Sequence, residues 1–271
     1  MEQYIWLVPL GFTIGAFGTL IGAGGGFVLM PVLLLLYPDE APETITSISL
    51  AIVFFNALSG SWAYARMRRI DYRSALLLGA ATIPGAILGS LATTFVPRRL
   101  FNAIFGVFLM AVSVFLVLRP TKAQPKGEEV PKHFLKCYIV ESDGIKHSFC
   151  YNPWVGVGLS LLVGFFSSLL GIGGGIIHVP ILVNLLNFPV HIATATSHCI
   201  LAGMAFTGTV VHMVTGTFSR GIGQTISLAV GVLIGAQLGA RLSSRVHGDW
   251  IIRALAIALA SVGIRILVMA L

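Results

Sequence analysis

The sequence predicts an all-α polytopic membrane protein of two pseudo-symmetric halves. Each half carries a glycine-broken helix pair followed by three transmembrane helices, and a polar linker with a small β-hairpin joins them. Three observations predict this. Only 10% of the 271 residues are charged, against about 25% in a soluble domain, and the mean hydropathy is +0.92. Apolar runs of spanning length recur along the chain. A glycine cluster inside an apolar stretch, Gly22 to Gly26 followed by Pro31, returns as Gly171 to Gly175 followed by Pro180. The offset is 149 residues each time (171 − 22, 175 − 26, 180 − 31). Glycine costs a plain helix about 1 kcal/mol per residue relative to alanine, so two copies at one offset give the glycines a purpose and the chain a duplicated plan. The organisation is residues 1–118 as the N-terminal membrane repeat, 119–152 as the linker and 153–271 as the C-terminal repeat.

The first half opens with Tyr4–Ile21, apolar and helical in pattern. It is not read as a signal peptide: Met1-Glu2-Gln3 lacks a basic start, and the stretch runs into the glycines without a cleavage site. After the glycines, Phe27–Tyr37 is too short, at roughly 16 Å of helix, to cross a core of about 30 Å. The pair is therefore two half-helices meeting at the glycines, or a re-entrant hairpin. Three ordinary spans follow at Ile45–Ala65, Ala75–Val96 and Leu100–Leu118.

Within the linker, Thr121–Pro131 is rich in Lys, Glu and Pro and is expected to be mobile. Cys137–Cys150 reads as a β-hairpin around Asp143-Gly144, a favoured type I′ pair. Registered on that turn, Tyr138 faces Phe149, Glu141 faces Lys146 and Cys137 faces Cys150. That makes Cys137 and Cys150 a candidate redox pair. A cytoplasmic linker would keep them reduced, and no metal-ligand spacing with His133 and His147 matches a recognised site.

The second half repeats the plan: Trp154–Leu170, the glycines, a short Ile176–Leu186, then spans at Ala195–Val214, Ile222–Leu242 and Ile251–Ala270. Gly85 and Gly89 return as Gly235 and Gly239, and Thr46-Ser47 matches Thr196-Ser197, both at an offset of 150 (235 − 85, 196 − 46). Small residues four apart let helices approach closely in lipid. The net charge of +7 sits in short loops and is read as a topology signal, which excludes a nucleic-acid partner. Arg66, Arg68, Arg69 and Arg73 mark one loop as cytoplasmic, the linker lies on the same side, and Arg241 and Arg245 mark a third; Arg98-Arg99 opposes this. If each broken element returns to its own side, each half crosses three times and the second half is inverted. If each crosses, the repeats are parallel. Inversion is the favoured reading.

Half-helices starting at Phe27 and Ile176 would present free N–H groups and a partial positive charge just after the glycines, which suits an oxyanion. Gly22, Gly24, Gly25, Gly26, Gly171, Gly173, Gly174 and Gly175 are then backbone binding elements, the alternative being tight packing or a kink. Ser47, Ser49, Asn56, Thr196, Ser197 and His198 lie in the spans after the two motifs, where polar groups are costly unless paired or wet. They are candidate substrate donors, or else interhelical hydrogen bonds. His178 and His198 are candidates for proton coupling, since histidine titrates near neutral pH. No carboxylate falls within a span, which agrees with an anionic substrate, and no residue pattern calls for a cofactor or a metal.

Gly-x-Gly-Gly-Gly-x-x-x-x-Pro, present twice, resembles the TauE/SafE family of sulfite and organosulfonate exporters. Ala195-Thr196-Ser197 and the basic loop near Arg68-Arg69 fit too. The resemblance covers residues 5–118 and 154–270 and leaves out the Cys137–Cys150 hairpin. It implies secondary transport of a small sulfur-containing anion, usually outward, in a prokaryotic cytoplasmic membrane. An anion channel or uncoupled carrier is the alternative. A membrane enzyme is disfavoured, as is a receptor signalling through the linker: nothing resembles a nucleophile–base arrangement, a quinone site or a haem ligand pair.

Overall fold

The structure, a computed structural model, describes residues 4–118, 134–243, 245 and 248–270. The first part of the linker, with Lys122, Lys126, Lys132 and His133, lies outside the described residues. The order is α1 (Leu7–Ile21), α2 (Gly26–Leu36), α3 (Pro42–Arg66), α4 (Tyr72–Thr93), α5 (Arg98–Leu118), β1 (Leu135–Val140), β2 (Lys146–Tyr151), α6 (Pro153–Leu170), α7 (Gly175–Asn184), α8 (Val190–Val214), α9 (Ile222–Ser243) and α10 (Gly248–Ala270). By length and composition, α3, α4, α6, α8 and α9 are able to cross a membrane. The ends follow local chemistry. Asp71 caps α4 by accepting from Ser74 N–H at 3.5 Å, and Asn152 caps α6 by accepting from Trp154 N–H at 3.1 Å. Pro42 and Pro153 start α3 and α6, where a missing N–H costs nothing.

Two kinds of helix pair build the bundle. α1 packs along α9, and α4 along α6, each pair running parallel. A side chain added at Gly235 would strike the Phe12 carbonyl, and one at Gly85 the Leu161 carbonyl. Gly239 meets the Ala16 carbonyl as Gly89 meets that of Phe165. Phe12 and Leu161, like Ala16 and Phe165, are 149 residues apart (161 − 12, 165 − 16), so the two seams are the same seam in exchanged halves. The glycines remove the side-chain layer and let backbones touch.

Equivalent helices pair antiparallel. α3 lies against α8, with Gly60 opposite His198 and Leu50 opposite Gly208. α5 lies against α10, with Ser113 donating to the Ala256 carbonyl at 3.0 Å and Gly106 opposite Leu267. α3 and α8 correspond at an offset of 148 (190 − 42, 214 − 66), so the Thr46-Ser47 to Thr196-Ser197 match at 150 is corrected. Ser49 is the counterpart of Ser197 (197 − 49), and Thr46 of Thr194 (194 − 46).

The hairpin register also differs from the expected one. Glu141 N–H donates to the Ile145 carbonyl at 2.9 Å, and Gly144 has φ of 88°. The loop is therefore Ser142-Asp143-Gly144, with glycine at the left-handed position of a three-residue turn. Cys137 pairs with Phe149, Tyr138 with Ser148 and Lys136 with Cys150. A slip of one residue moves a side chain to the other face. Cys137 is thus buried with Phe149 and Tyr151 while Cys150 lies on the opposite face, and both are free thiols. The hairpin bridges the halves. Ser142 N–H donates to the Met67 carbonyl at 3.1 Å, and Glu141 binds Arg69 at 2.5 Å and His147 at 2.7 Å. Phe149 and Tyr151 stack on Phe188, before α8, at 4.3 and 5.2 Å.

Candidate functional site

Helix α1 ends on Gly22 and α6 on Gly171, both left-handed caps. Gly22, Gly24 and Gly25 hold φ of 84°, 77° and 75°; Gly171, Gly173 and Gly174 hold 65°, 68° and 26°. This is the region that glycine enters without strain. Gly26 and Gly175 are needed for contact instead. A side chain on Gly26 would strike the Ile172 carbonyl, and one on Gly175 would sit 2.5 Å from the Gly22 carbonyl oxygen. Each break therefore lies directly on the other, and both are buried. The first turns of α2 and α7 start from this junction, with Val28 N–H donating to the Gly25 carbonyl at 3.1 Å and Ile177 N–H to the Gly174 carbonyl at 3.0 Å; the positive ends of both helices point at it.

Serines from the opposite half hold each break. Ser49 on α3 donates to the Gly171 carbonyl at 2.6 Å, and Ser197 on α8 to the Gly22 carbonyl at 3.4 Å. Ser47, expected at the site, instead donates to the Thr44 carbonyl of its own helix at 2.7 Å. Of the two serines of that span, Ser49 is the one that reaches the break, as the 148 offset to Ser197 requires. Thr196 is also placed elsewhere. It accepts from Asp71 N–H at 3.1 Å and ties the α3–α4 connection to α8.

Asn56 and His198 do come together at the first break. Thr19, one turn before Gly22, donates to Asn56 Oδ1 at 2.8 Å, and His198 Nε2 lies 3.3 Å from the Thr19 hydroxyl. Tyr64 donates to the Thr19 carbonyl at 2.7 Å and meets the His198 ring edge-on. All four are fully buried, and the Asn56 Nδ2 donor has no partner among the described residues. His178 belongs to a separate group on the second break: its Nε2 is 3.2 Å from the Ser160 hydroxyl, and its Nδ1 faces Gly174. Thr19 and Tyr64 escaped sequence reasoning. Thr19 had one signal, its repeat partner Ser168 at the same offset of 149 (168 − 19).

The buried charged side chains among the described residues, Arg69, Asp71 and Glu141, all lie at the hairpin. The breaks are lined by neutral donors and by apolar side chains. Val53 wedges between the two breaks, against Gly26 and Gly173, and its counterpart Leu201 lies on Gly24. The hairpin cysteines are remote from this. The Cys137 thiol lies 3.9 Å from the Ser74 hydroxyl, which binds Asp71 at 2.6 Å and Tyr151 at 2.7 Å. Burial, with Asp71 beside it, pushes the Cys137 thiol up to about 12. It is held as an unreactive thiol.

The family model described as sulfite exporter TauE/SafE matches residues 7–266. The chain belongs to the TauE/SafE family. It is 33% identical over 220 residues to the probable membrane transporter protein YunE of Bacillus subtilis, covering 79% of this chain and 80% of that one. It is 25% identical over 225 residues to a probable membrane transporter protein of Methanocaldococcus jannaschii, covering 79% and 76%. A sulfite exporter TauE/SafE family protein of Arabidopsis thaliana is 29% identical over 140 residues, covering 47% and 27%. No solved structure matches the chain. The TauE/SafE family is one of membrane transporters and not of enzymes.

Proposed function

We propose that the protein is a secondary transporter, an exporter, of a small sulfur-containing anion such as sulfite or an organosulfonate, working by alternating access around the two glycine breaks. The observation that carries this is the contact of the two breaks beside an amide donor, Asn56 Nδ2, that has neither a partner nor a buried charged side chain beside it among the described residues. Backbone N–H groups, an amide and hydroxyls bind an oxyanion and release it, whereas a buried Lys or Arg would hold it. In this proposal the glycines at the breaks are the backbone binding elements, Asn56 and His198 are the side-chain donors, Ser197 holds the first break through the Gly22 carbonyl, and His198 and His178 are the groups that follow a proton.

Inverted repeats are part of this proposal. The antiparallel pairing of equivalent helices, α3 with α8 and α5 with α10, supports them, as does the shortness of α2 and α7 at 11 and 10 residues. The linker is placed on the cytoplasmic face of a prokaryotic inner membrane. The test is radiolabelled sulfite flux in proteoliposomes under an imposed pH gradient, with thiosulfate, sulfate and sulfoacetate as competitors. Accumulation driven by the gradient is expected, and it is expected to vanish in a folded Gly25→Leu/Gly174→Leu variant. Flux only down the sulfite gradient would replace the coupled transporter with a channel or uncoupled carrier. Undiminished flux in the folded variant would remove the breaks from the mechanism.

A further inference from the structure

Helix α6 carries Ser168 where α1 carries Thr19, and α8 carries Gly208 where α3 carries Gly60 (168 − 19 = 149, 208 − 60 = 148). The surroundings of these equivalent places are decorated differently. Around Gly60 stand Thr19 and His198: an added side chain there would lie 2.6 Å from the His198 ring and 2.9 Å from the Thr19 methyl. Around Gly208 stand Ser90 of α4, Ser168 and Leu50: an added side chain would lie 3.0 Å from Ser90 Oγ and 3.6 Å from Ser168 Oγ. Ser90 is 1% exposed and Ser168 0%, and neither hydroxyl has a partner among the described residues. Serine on a helix usually returns its hydroxyl to a carbonyl of the preceding turn, as Thr93 and Thr209 do here. Two neighbouring buried hydroxyls left unpaired beside a glycine are a cost that a bound group would relieve as Leu50, whose Cδ1 would lie 2.8 Å from the added side chain, moves aside.

We propose that Ser90 and Ser168, over Gly208, form a second station for the transported oxyanion, across the glycine breaks from the Asn56 station. The proposal rests on the transport reading above. Depth along α3 supports it. Leu50 marks the serine station and Asn56 to Gly60 the asparagine station; Val53 lies between and touches both breaks. Hydroxyl donors without formal charge bind a small oxyanion weakly and let it go. The station nearer the hairpin has an amide and an imidazole and holds the anion more firmly.

The experiment compares wild type with Ser90→Ala/Ser168→Ala on two readouts: the thermal shift induced by sulfite in the purified full chain, and sulfite flux in proteoliposomes. The expected result is a retained thermal shift, from the intact Asn56 station, with flux at least tenfold lower. Ser168→Thr alone, which restores the residue type of Thr19, is expected to keep flux within threefold of wild type. Gly208→Ala, which crowds Leu50 and Ser90 while leaving both hydroxyls, is expected to lower flux as the double variant does, and it serves if the double variant misfolds. Flux within twofold of wild type in either variant overturns the second station. So does loss of the thermal shift along with flux in the folded double variant, since the two stations would then be one. A sodium requirement for flux that disappears in the double variant also overturns it, because the serines would be a cation site. A wild type that shows neither a shift nor flux with sulfite, thiosulfate or sulfoacetate overturns the anion reading itself, and the second station with it.

Discussion

Removing Glu141 should detach the hairpin from the membrane domain. The Glu141 carboxylate is 4% exposed and accepts from both Arg69, at 2.5 Å, and His147, at 2.7 Å. Arg69 is 6% exposed, and its Nη1 already lacks a partner among the described residues. Glu141→Ala therefore strands a buried guanidinium. Breaking a buried pair from one side costs about 3–5 kcal/mol, and at about 1.4 kcal/mol per factor of ten that is a rise of roughly 10² to 4 × 10³ in the detached fraction. Cys137 reports it, because the thiol is 8% exposed against the membrane domain when docked. In a Cys150→Ser/Cys199→Ala background, maleimide labelling of Cys137 should accelerate by that factor, while Glu141→Leu/Arg69→Met, which leaves no stranded charge, returns toward the parent rate. Labelling of Glu141→Ala within threefold of the parent would refute the assignment of the ion pair as the anchor.

Three further outcomes follow from the same contacts. Phe188→Ala removes the ring that Phe149 and Tyr151 stack on at 4.3 and 5.2 Å; a buried Phe→Ala change costs about 3–5 kcal/mol, and Cys137 labelling should accelerate comparably, an unchanged rate counting against the stack as an anchor. Gly235→Leu puts a side chain into the Phe12 carbonyl across the α1/α9 seam; the protein should fail to remain monodisperse on size exclusion, and a variant as heat-stable as wild type would contradict the backbone contact. Docking should weaken with rising pH. Burial pushes both the Cys137 thiol and the Tyr151 hydroxyl up to about 12, so the docked hairpin keeps protons that the detached one sheds at the ordinary values. That contribution is whole below about pH 9 and is lost as pH rises toward 12. Cys137 labelling, corrected for the free thiolate fraction, should rise with pH more steeply than ionisation alone, and no extra slope would refute it.

The helices and the breaks were legible because each has a local cause. Pro42, Pro153 and the capping residues Asp71 and Asn152 fix starts, and a glycine cluster inside a span costs a plain helix enough to mark an interruption. What failed depended on a count of one or two residues. Two Thr-Ser dipeptides suggested an offset of 150 where α3 and α8 correspond at 148, so the match of Ser47 with Ser197 gives way to Ser49 with Ser197. The dipeptides share residue type, but position is set by Gly171 and Gly22, whose carbonyls need a serine opposite. The hairpin slipped because Asp143-Gly144 serves a two-residue turn and a three-residue turn equally well. Arg69–Glu141, across 72 residues, and Tyr64–Thr19, across 45, had no local signal at all.

The glycines do two separate jobs, and the division says where the proposed cycle must act. In the seams they bring α1 onto α9 and α4 onto α6 with carbonyls in direct contact. Such close-packed pairs have no side-chain layer to repack and move as units. Each unit joins a helix of one half to a helix of the other, so the two halves do not separate as blocks. Rearrangement then falls on what lies between the units, which is α3 against α8. That interface holds Asn56 and His198, carries Gly208 over Ser90 and Ser168, and sets Val53 and Leu201 on the two breaks. The hairpin ties its two ends together on one face, through Met67 and Arg69 after α3 and Phe188 before α8. Under the proposed transport cycle, a detached hairpin therefore lowers the barrier to opening on that face, and Glu141→Ala should raise sulfite flux along with Cys137 labelling. Labelling that rises a hundredfold with unaltered flux would place the opening elsewhere than between α3 and α8.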